Sequence, residues 1–294
     1  MTTIPSGDRY DISVRSAGLR RRKVTEKAFA GLAVASAVIA VAILALVLGT
    51  VIHRGLSALS LDFFTKPRPL FGQAGGIADA LVGSALIVGM AMVMAIPMSI
   101  LVAIFMSEYA GPRVSVALRI VLDVLNGVPA IVVGIFVFGL LVVGRGQSAI
   151  FGAFSLAVLM LPMVARATQE VLEIVPRSLR EASLALGVTR WRTTLSVVLP
   201  TAIGGILTGV VIAVARVAGE TAPLIFTSLG NTNWSTDITK PMASLPIAIL
   251  RYAGSPYEDW KALAWTGALL ITVGVLALNI ASRLSLAALK RGQA

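Results

Sequence analysis

Arg177-Ser178-Leu179-Arg180-Glu181-Ala182-Ser183-Leu184-Ala185-Leu186-Gly187-Val188-Thr189-Arg190-Trp191-Arg192-Thr193-Thr194-Leu195-Ser196-Val197-Val198-Leu199-Pro200 is the stretch from which the fold is read. Pro176, just before it, suits the first turn of a helix and Gly187 suits a helix C-terminal stop, so the segment between them reads as one short helix. Leu179, Ala182 and Leu186 fall on one face at helical spacing, an apolar ridge flanked by Arg180 and Glu181. Thr189 caps a second helix. Trp191 sits where aromatics of a membrane–water interface are common. Leu199-Pro200 marks a bend into the apolar run that follows. The unit is therefore helix, glycine turn, helix, proline bend, and its ridge suits a partner's groove; the plainer reading is an ordinary amphipathic connector.

Everything around this unit is apolar. The chain has 294 residues, 57% hydrophobic and 13% charged, with a mean hydropathy of +0.89, where a soluble domain is about 25% charged. With no cysteine and a single histidine, His53, disulfide frameworks, thiolate sites and histidine metal clusters are excluded. The net charge of +11 is read as a membrane orientation signal and not as a nucleic-acid footprint. Arg20, Arg21, Arg22, Lys23 and Lys27 precede an apolar run too long for a signal peptide, and no small-residue cleavage site closes it, so it is expected to be a retained span.

A helix needs roughly 20 largely apolar residues to cross the hydrocarbon core, and six runs approach that length: Ala28 to Ile52, Ala80 to Met106, Ile120 to Val143, Ala149 to Val164, Leu195 to Thr227 and Ala262 to Ala281. Apart from Arg216, inside the fifth run, the tails and alternate gaps divide Lys and Arg 17 to 7, which places both termini in the cytoplasm. The expectation is an all-α polytopic membrane protein with a basic cytoplasmic tail over 1–27, one membrane domain over 28–294, a cytoplasmic loop over about 166–200 and an outer loop over about 228–261. Within the outer loop, Met242 to Leu250 is apolar but too short to span and reads as a surface-lying helix. Lys66-Pro67-Arg68-Pro69 through Gly75-Gly76 is a turn-rich loop without a Gly-Lys-Ser/Thr; no Walker motif occurs, so ATP is not bound by that route.

Glu-Ala-Ser at 181–183, three residues, Gly187, nine residues, Val197, one residue and Leu199-Pro200 resembles the EAA loop of bacterial ATP-binding-cassette importer permeases. The resemblance implies a type I permease bundle whose loop docks on a separate ATPase, with Glu181, Ala182 and Gly187 carrying contact and turn and Arg180, Ser183 and Leu186 beside them. Ser183 stands where the family usually has Ala, and Val197 where it often has Ile; both conserve size.

The fifth run contains two charges, Arg216 and Glu220. An arginine near a helix centre costs about 2.5–3.5 kcal/mol on insertion scales, so a lipid-facing helix would not carry it. Four residues apart on one helix, the pair shares a face and points into the bundle. The arginine fork matches oxyanions such as phosphate. The plainer reading is an ion pair that locks this helix to a neighbour, through Asp123 of the third run. In that run Asn126, Gly127 and Pro129 interrupt regular helix, as broken helices do where they line a cavity, so Asn126 and Asp123 join the pathway candidates. Gly83, Gly89 and Gly134 read as helix-packing positions.

Ala215-Arg216-Val217-Ala218-Gly219-Glu220-Thr221-Ala222-Pro223, with Gly75-Gly76-Ile77, Gly127-Val128-Pro129-Ala130-Ile131-Val132 and Leu245-Pro246, is similar to the phosphate-importing members of the same family. Ala130 departs from a serine common there. The resemblance implies a transport subunit of the bacterial inner membrane, not an enzyme and without a cofactor or metal. The partners it implies are a homologous permease, two copies of an ATP-binding subunit, an external phosphate-binding protein and membrane lipid, with no nucleic acid. A permease for sulfate or molybdate is the nearer alternative; an ion-coupled carrier lacks the expected internal repeat, and a membrane enzyme lacks every usual motif.

Overall fold

The computed structural model describes residues 17–57, 59–67, 75–229, 231 and 234–291, side chains excepted at 17–20, 282 and 285–291. Most of the Lys66–Gly76 loop and the first part of the basic tail lie outside the described residues.

Every regular element among the described residues is helical. The chain forms two units, divided between Ile52 and His53. The first is carried by α1 (Ala17–Gly55), whose helix already begins within the stretch expected to be a tail. Its apolar side chains are exposed, Phe29, Leu32 and Val38 among them.

In the second unit, α2 (Leu61–Thr65) leads into α3 (Ala78–Ile104), which a wide turn, Phe105–Tyr109, prolongs. Next come α4 (Pro112–Gly127), α5 (Ala130–Val137), α6 (Ala149–Ile174), α7 (Arg177–Ala185) and α8 (Arg190–Thr193). Then follow α9 (Leu199–Ala218), α10 (Ala222–Thr227), α11 (Leu245–Ala253) and α12 (Glu258–Arg291). Among the described residues five continuous helices are long and apolar enough to cross a membrane, and the bent pair α4–α5 makes a sixth crossing if counted as one span.

The central core joins α3, α6 and α9. Small residues recur along the contact: Ala91, Ala95, Ala103, Ala153, Ala157 and Ala202 are buried with Leu156, Met160 and Ile206. Without a hydrophobic drive between helices in lipid, close backbone approach through small residues supplies the packing. A Cβ on Gly209 would stand 2.6 Å from Ala167 Cβ, and one on Gly205 would stand 2.5 Å from Val171 Cγ1, so α9 crosses α6 at two glycines. Ser99, fully buried on α3, reaches the Leu161 carbonyl of α6 at 3.0 Å.

Several elements differ from the sequence expectation. The fourth span does not stop at Val164: α6 runs to Ile174, because Arg166, Glu170 and Glu173 find partners and need not lie in a loop. The break in the third span, by contrast, falls where Asn126, Gly127 and Pro129 were expected to interrupt the helix; α4 and the extended α5 meet there at 96°. Pro129 removes an amide and pushes Val128 into extended backbone, φ −68° and ψ 128°. The fifth span ends at Ala218 and restarts at Ala222. At Leu199-Pro200 there is no bend between two helices; one helical run continues from Arg190 to Ala218, and the wide turn Thr194–Val198 ahead of Pro200 absorbs the missing amide.

The Met242–Leu250 segment does not lie on a surface. Met242, Ala243, Leu245, Ile247 and Ala248 are all buried, and α11 packs between α3 and α12. Its backbone is satisfied internally, as burial requires: the Leu245 amide donates to Ser84 Oγ at 2.7 Å, and the Met242 amide donates to Ser228 Oγ at 3.2 Å. The approach to α11 also serves α6, whose Ala149 and Ile150 amides donate to the Lys240 and Ile238 carbonyls. An Asx turn fixes that approach. The Thr239 hydroxyl donates to Asp237 Oδ1 at 2.6 Å and its amide at 3.0 Å, and these bonds hold the Asp237 carboxyl below its ordinary pKa.

The glycines separate into two kinds. A Cβ on Gly83 would meet the Ala243 carbonyl at 2.0 Å, and one on Gly134 would meet Pro223 Cα at 2.7 Å, whereas Gly89 faces open space. Gly89 is therefore not a packing position. Gly83→Ala is expected to cost about 1–3 kcal/mol through overpacking, seen as a fall of several degrees in thermal unfolding in detergent. Gly89→Ala, free of any clash, should hold or slightly raise that temperature.

Candidate functional site

Two broken helices meet around one cleft. Asn126, Val128 and Ala130 come from the α4–α5 break, Arg216 and Glu220 from the α9–α10 break, and Leu159 and Met163 from α6. The cleft is small, about 30 Å³, room for a few waters at about 10–15 Å³ each. The breaks are held against each other: the α5 backbone reaches α10 at Gly134 and Pro223, and Phe138 stacks edge-on against Phe226 with centroids 6.4 Å apart.

Gln147 completes the arrangement, although sequence reasoning passed over it. Its Nε2 donates to the Phe226 carbonyl at 3.0 Å and lies 3.4 Å from the Ile225 carbonyl. Its Oε1 accepts from the Leu229 amide at 3.1 Å. One side chain thus satisfies the backbone groups that a short helix leaves open at its end. The signal available in sequence was a lone amide in Gly-Arg-Gly-Gln-Ser, between apolar runs.

Arg216 lies in the last turn of α9 and is exposed, and Glu220, half-buried, follows the helix end at Gly219. The two therefore do not share one uninterrupted helix face, because the chain leaves helical geometry between them. Among the described residues Arg216 forms no salt bridge. Asp123 does not pair with it; Asp123 meets Arg166 at 3.0 Å. Of the four pathway candidates, Arg216, Glu220 and Asn126 line the cleft, and Asp123 belongs to a separate ladder. In that ladder Arg166 also contacts Gln169 and Glu170, the Gln169 amide donates to Glu173 at 2.8 Å, and Glu173 receives Arg119 at 2.8 Å. These bonds tie α4 to α6.

At the end of α6 stands the α7–α8 unit. Pro176 takes the N-cap position of α7, one residue earlier than expected. Gly187 has φ +79°; the Val188 amide bonds the Ser183 carbonyl and the Gly187 amide bonds the Leu184 carbonyl, the paired bonds of a Schellman stop. The unit has two faces. Glu181, Ala182, Leu179 and Leu186 point outward, Leu186 84% exposed. Ser183 is buried and bonds Thr193 at 2.9 Å, joining α7 to α8. Arg180 also turns inward, onto Glu108, a residue sequence reasoning did not single out. A groove of about 580 Å³ runs beside it, lined by Glu173, Arg177, Glu181, Arg190 and Glu108 among others.

Paired helix breaks around a charged cleft, above a short amphipathic helix presented outward, define a membrane permease of the ATP-binding-cassette importer class. The chain belongs to the family described as the binding-protein-dependent transport system inner membrane component, which matches residues 95–293, and is a multi-pass inner-membrane protein. It is 44% identical to the "Phosphate transport system permease protein PstA" of Xylella fastidiosa over 80% of this chain and 83% of that one. It is 43% identical to the protein of the same name from Haemophilus influenzae over 90% and 94%. Its fold resembles a chain in the crystal structure of a bacterial ABC transporter that imports the acidic polysaccharide alginate, with a TM-score of 0.62 at 13% identity over 90% of this chain and 98% of that one.

Gly187→Val places a β-branched residue at positive φ and should destabilise the turn by about 1–2 kcal/mol. Gly187→Asn, which tolerates that region, should cost less. Hydrogen exchange at the Gly187 and Val188 amides reads the difference, faster in the valine variant.

Proposed function

We propose that the chain is the permease subunit through which an ATP-driven importer carries inorganic phosphate across the cytoplasmic membrane. The observation that carries this reading is the identity to relatives named as phosphate transport permeases over most of the chain, joined to an exposed arginine that has no salt-bridge partner among the described residues, at the α9–α10 break. An arginine held this way offers its whole donor fork to an oxyanion.

The cargo passes between this chain and a homologous, PstC-like permease, onto which the exposed Arg216 opens. A cleft with room for only a few waters is tight for a tetrahedral oxyanion, so the pathway widens at the α4–α5 and α9–α10 breaks during transport. Glu220, beside Arg216, keeps the anion from being held too tightly, because a site on a pathway must also release; Asn126 supplies a neutral hydrogen-bonding group. Asp123 acts at one remove, through the ladder that sets the position of α4.

ATP is hydrolysed on two copies of a separate, PstB-like subunit, and this chain performs no chemistry. The outward face of α7, with Glu181, Ala182 and Leu186, seats on that subunit in the cytoplasm, on the same side as both termini; Ser183 and Gly187 hold its shape. An external, PstS-like binding protein delivers phosphate to the opposite side.

The test is ATP-dependent uptake of labelled phosphate, against labelled sulfate, by vesicles holding the whole complex. Arg216→Ala is expected to lower phosphate uptake at least tenfold while the ATPase still co-purifies, with Arg216→Lys in between. Unchanged uptake would remove Arg216 from the pathway, and preferential sulfate uptake would overturn the cargo.

A further inference from the structure

Glu108 is a nearly buried carboxylate, 7% exposed, at the far end of a span whose other acidic residue, Asp79, lies in its first turn. The buried positions of α3 recur every four residues, at Gly83, Ile87, Ala91, Ala95, Ser99 and Ala103. A regular helix would place Ser107 next in that stripe. The wide turn Phe105–Tyr109 adds one residue to the turn and places Glu108 there instead.

What Glu108 meets is the loop unit. Arg180 sends Nη2 to Glu108 Oε1 at 2.7 Å and Nε to the same carboxylate at 3.1 and 3.3 Å. The same guanidinium donates to the Leu172 carbonyl at 2.8 Å and to the Val175 carbonyl at 2.6 Å. Those carbonyls are the open end of α6, where a cation is favoured. Arg190 donates to the Glu108 backbone carbonyl and lies 5.2 Å over the Tyr109 ring. One five-residue turn therefore grips an arginine from α7 and another from α8, and Arg180 binds α3 and α6 together.

This matters for the direction of force. Apolar contacts resist being pressed together, but in lipid, with no hydrophobic drive between helices, they hold only by close packing. A multidentate ion pair with satisfied geometry resists separation as well, because parting it strands a buried charge. Among the described residues the outward side chains of α7 form no hydrogen bond or ion pair with the rest of the chain; the inward side-chain bonds of the unit to the spans run through Arg180 and Arg190.

We infer that Glu108 is a positioning residue for coupling: through Arg180 it makes the α3 end the first element the coupling helix pulls, and carries the stroke of the ATPase to the cleft. The inference rests on the proposed importer reading. It does not rest on which anion is carried.

The chain has no cysteine, so Leu125→Cys at the cleft is a unique thiol reporter within it. In the full complex, with partner subunits free of cysteine, the rate of maleimide labelling at that position is measured with and without trapped ATP. ATPase turnover and subunit assembly are measured in parallel. With Glu108 intact, ATP should change the labelling rate several-fold. Glu108→Gln should cut that response at least fivefold while hydrolysis and assembly persist, and the exchanged pair Glu108→Arg with Arg180→Glu should recover much of it. Should Glu108→Gln not assemble, Arg180→Lys serves the same comparison, since it keeps the charge and loses the fork. An ATP response as large in Glu108→Gln or Arg180→Lys as in the parent overturns the inference. Failure of the phosphate reading shows elsewhere, as absent phosphate uptake by the parent complex with its labelling response intact.

Discussion

Inside hydrocarbon a backbone N–H or C=O has no water to turn to, and the structure is organised around that constraint. Helix α6 starts on the carbonyls of Lys240 and Ile238. The segment before α11 takes hydroxyls from Ser84 and Ser228. The end of α10 takes both ends of the Gln147 amide. Each of these ends is thus bonded to a neighbouring element; the breaks within α4–α5 and α9–α10 close locally instead, the Val128 amide onto the Leu125 carbonyl and the Glu220 amide onto the Val217 carbonyl. The cleft is what remains between two such breaks, at 128–129 and 219–221.

How much of this the sequence made legible follows from the range over which each signal acts. Apolar run length marks the spans, and Gly187 marks the turn, because those are local requirements. Pro129 betrayed the break in the third span for the same reason. The end of α6 was not readable: Arg166 and Glu173 look like loop residues until Asp123 and Arg119 of α4 stand opposite them. The burial of Met242 to Ala248 was hidden too, because a short apolar segment reads alike on a membrane surface and inside a bundle.

The site divided along the same line. Arg216, Glu220 and Asn126 were legible as charges and breakers in apolar surroundings, and the fold brings them to one cleft. Their pairing was not legible, since a helix end at Ala218 cannot be foreseen from a four-residue spacing. In the loop, periodicity gave the outward ridge of Leu179, Ala182 and Leu186 but placed Arg180 beside it as a flanking contact. Only the wide turn at Phe105–Tyr109, which carries no signature in composition, turns Glu108 to where Arg180 can reach it.

The near-right angle between α4 and α5 makes the pair a crank. A shift of α4 along its own axis has almost no component along α5, so it arrives at Ala130 as a sideways swing of the first turn of α5. Because α4 is laced to α6 by Arg119 and Asp123, α6 and the crank arm turn together. A small slide at one end of the bundle is thereby converted into a change of width at the other.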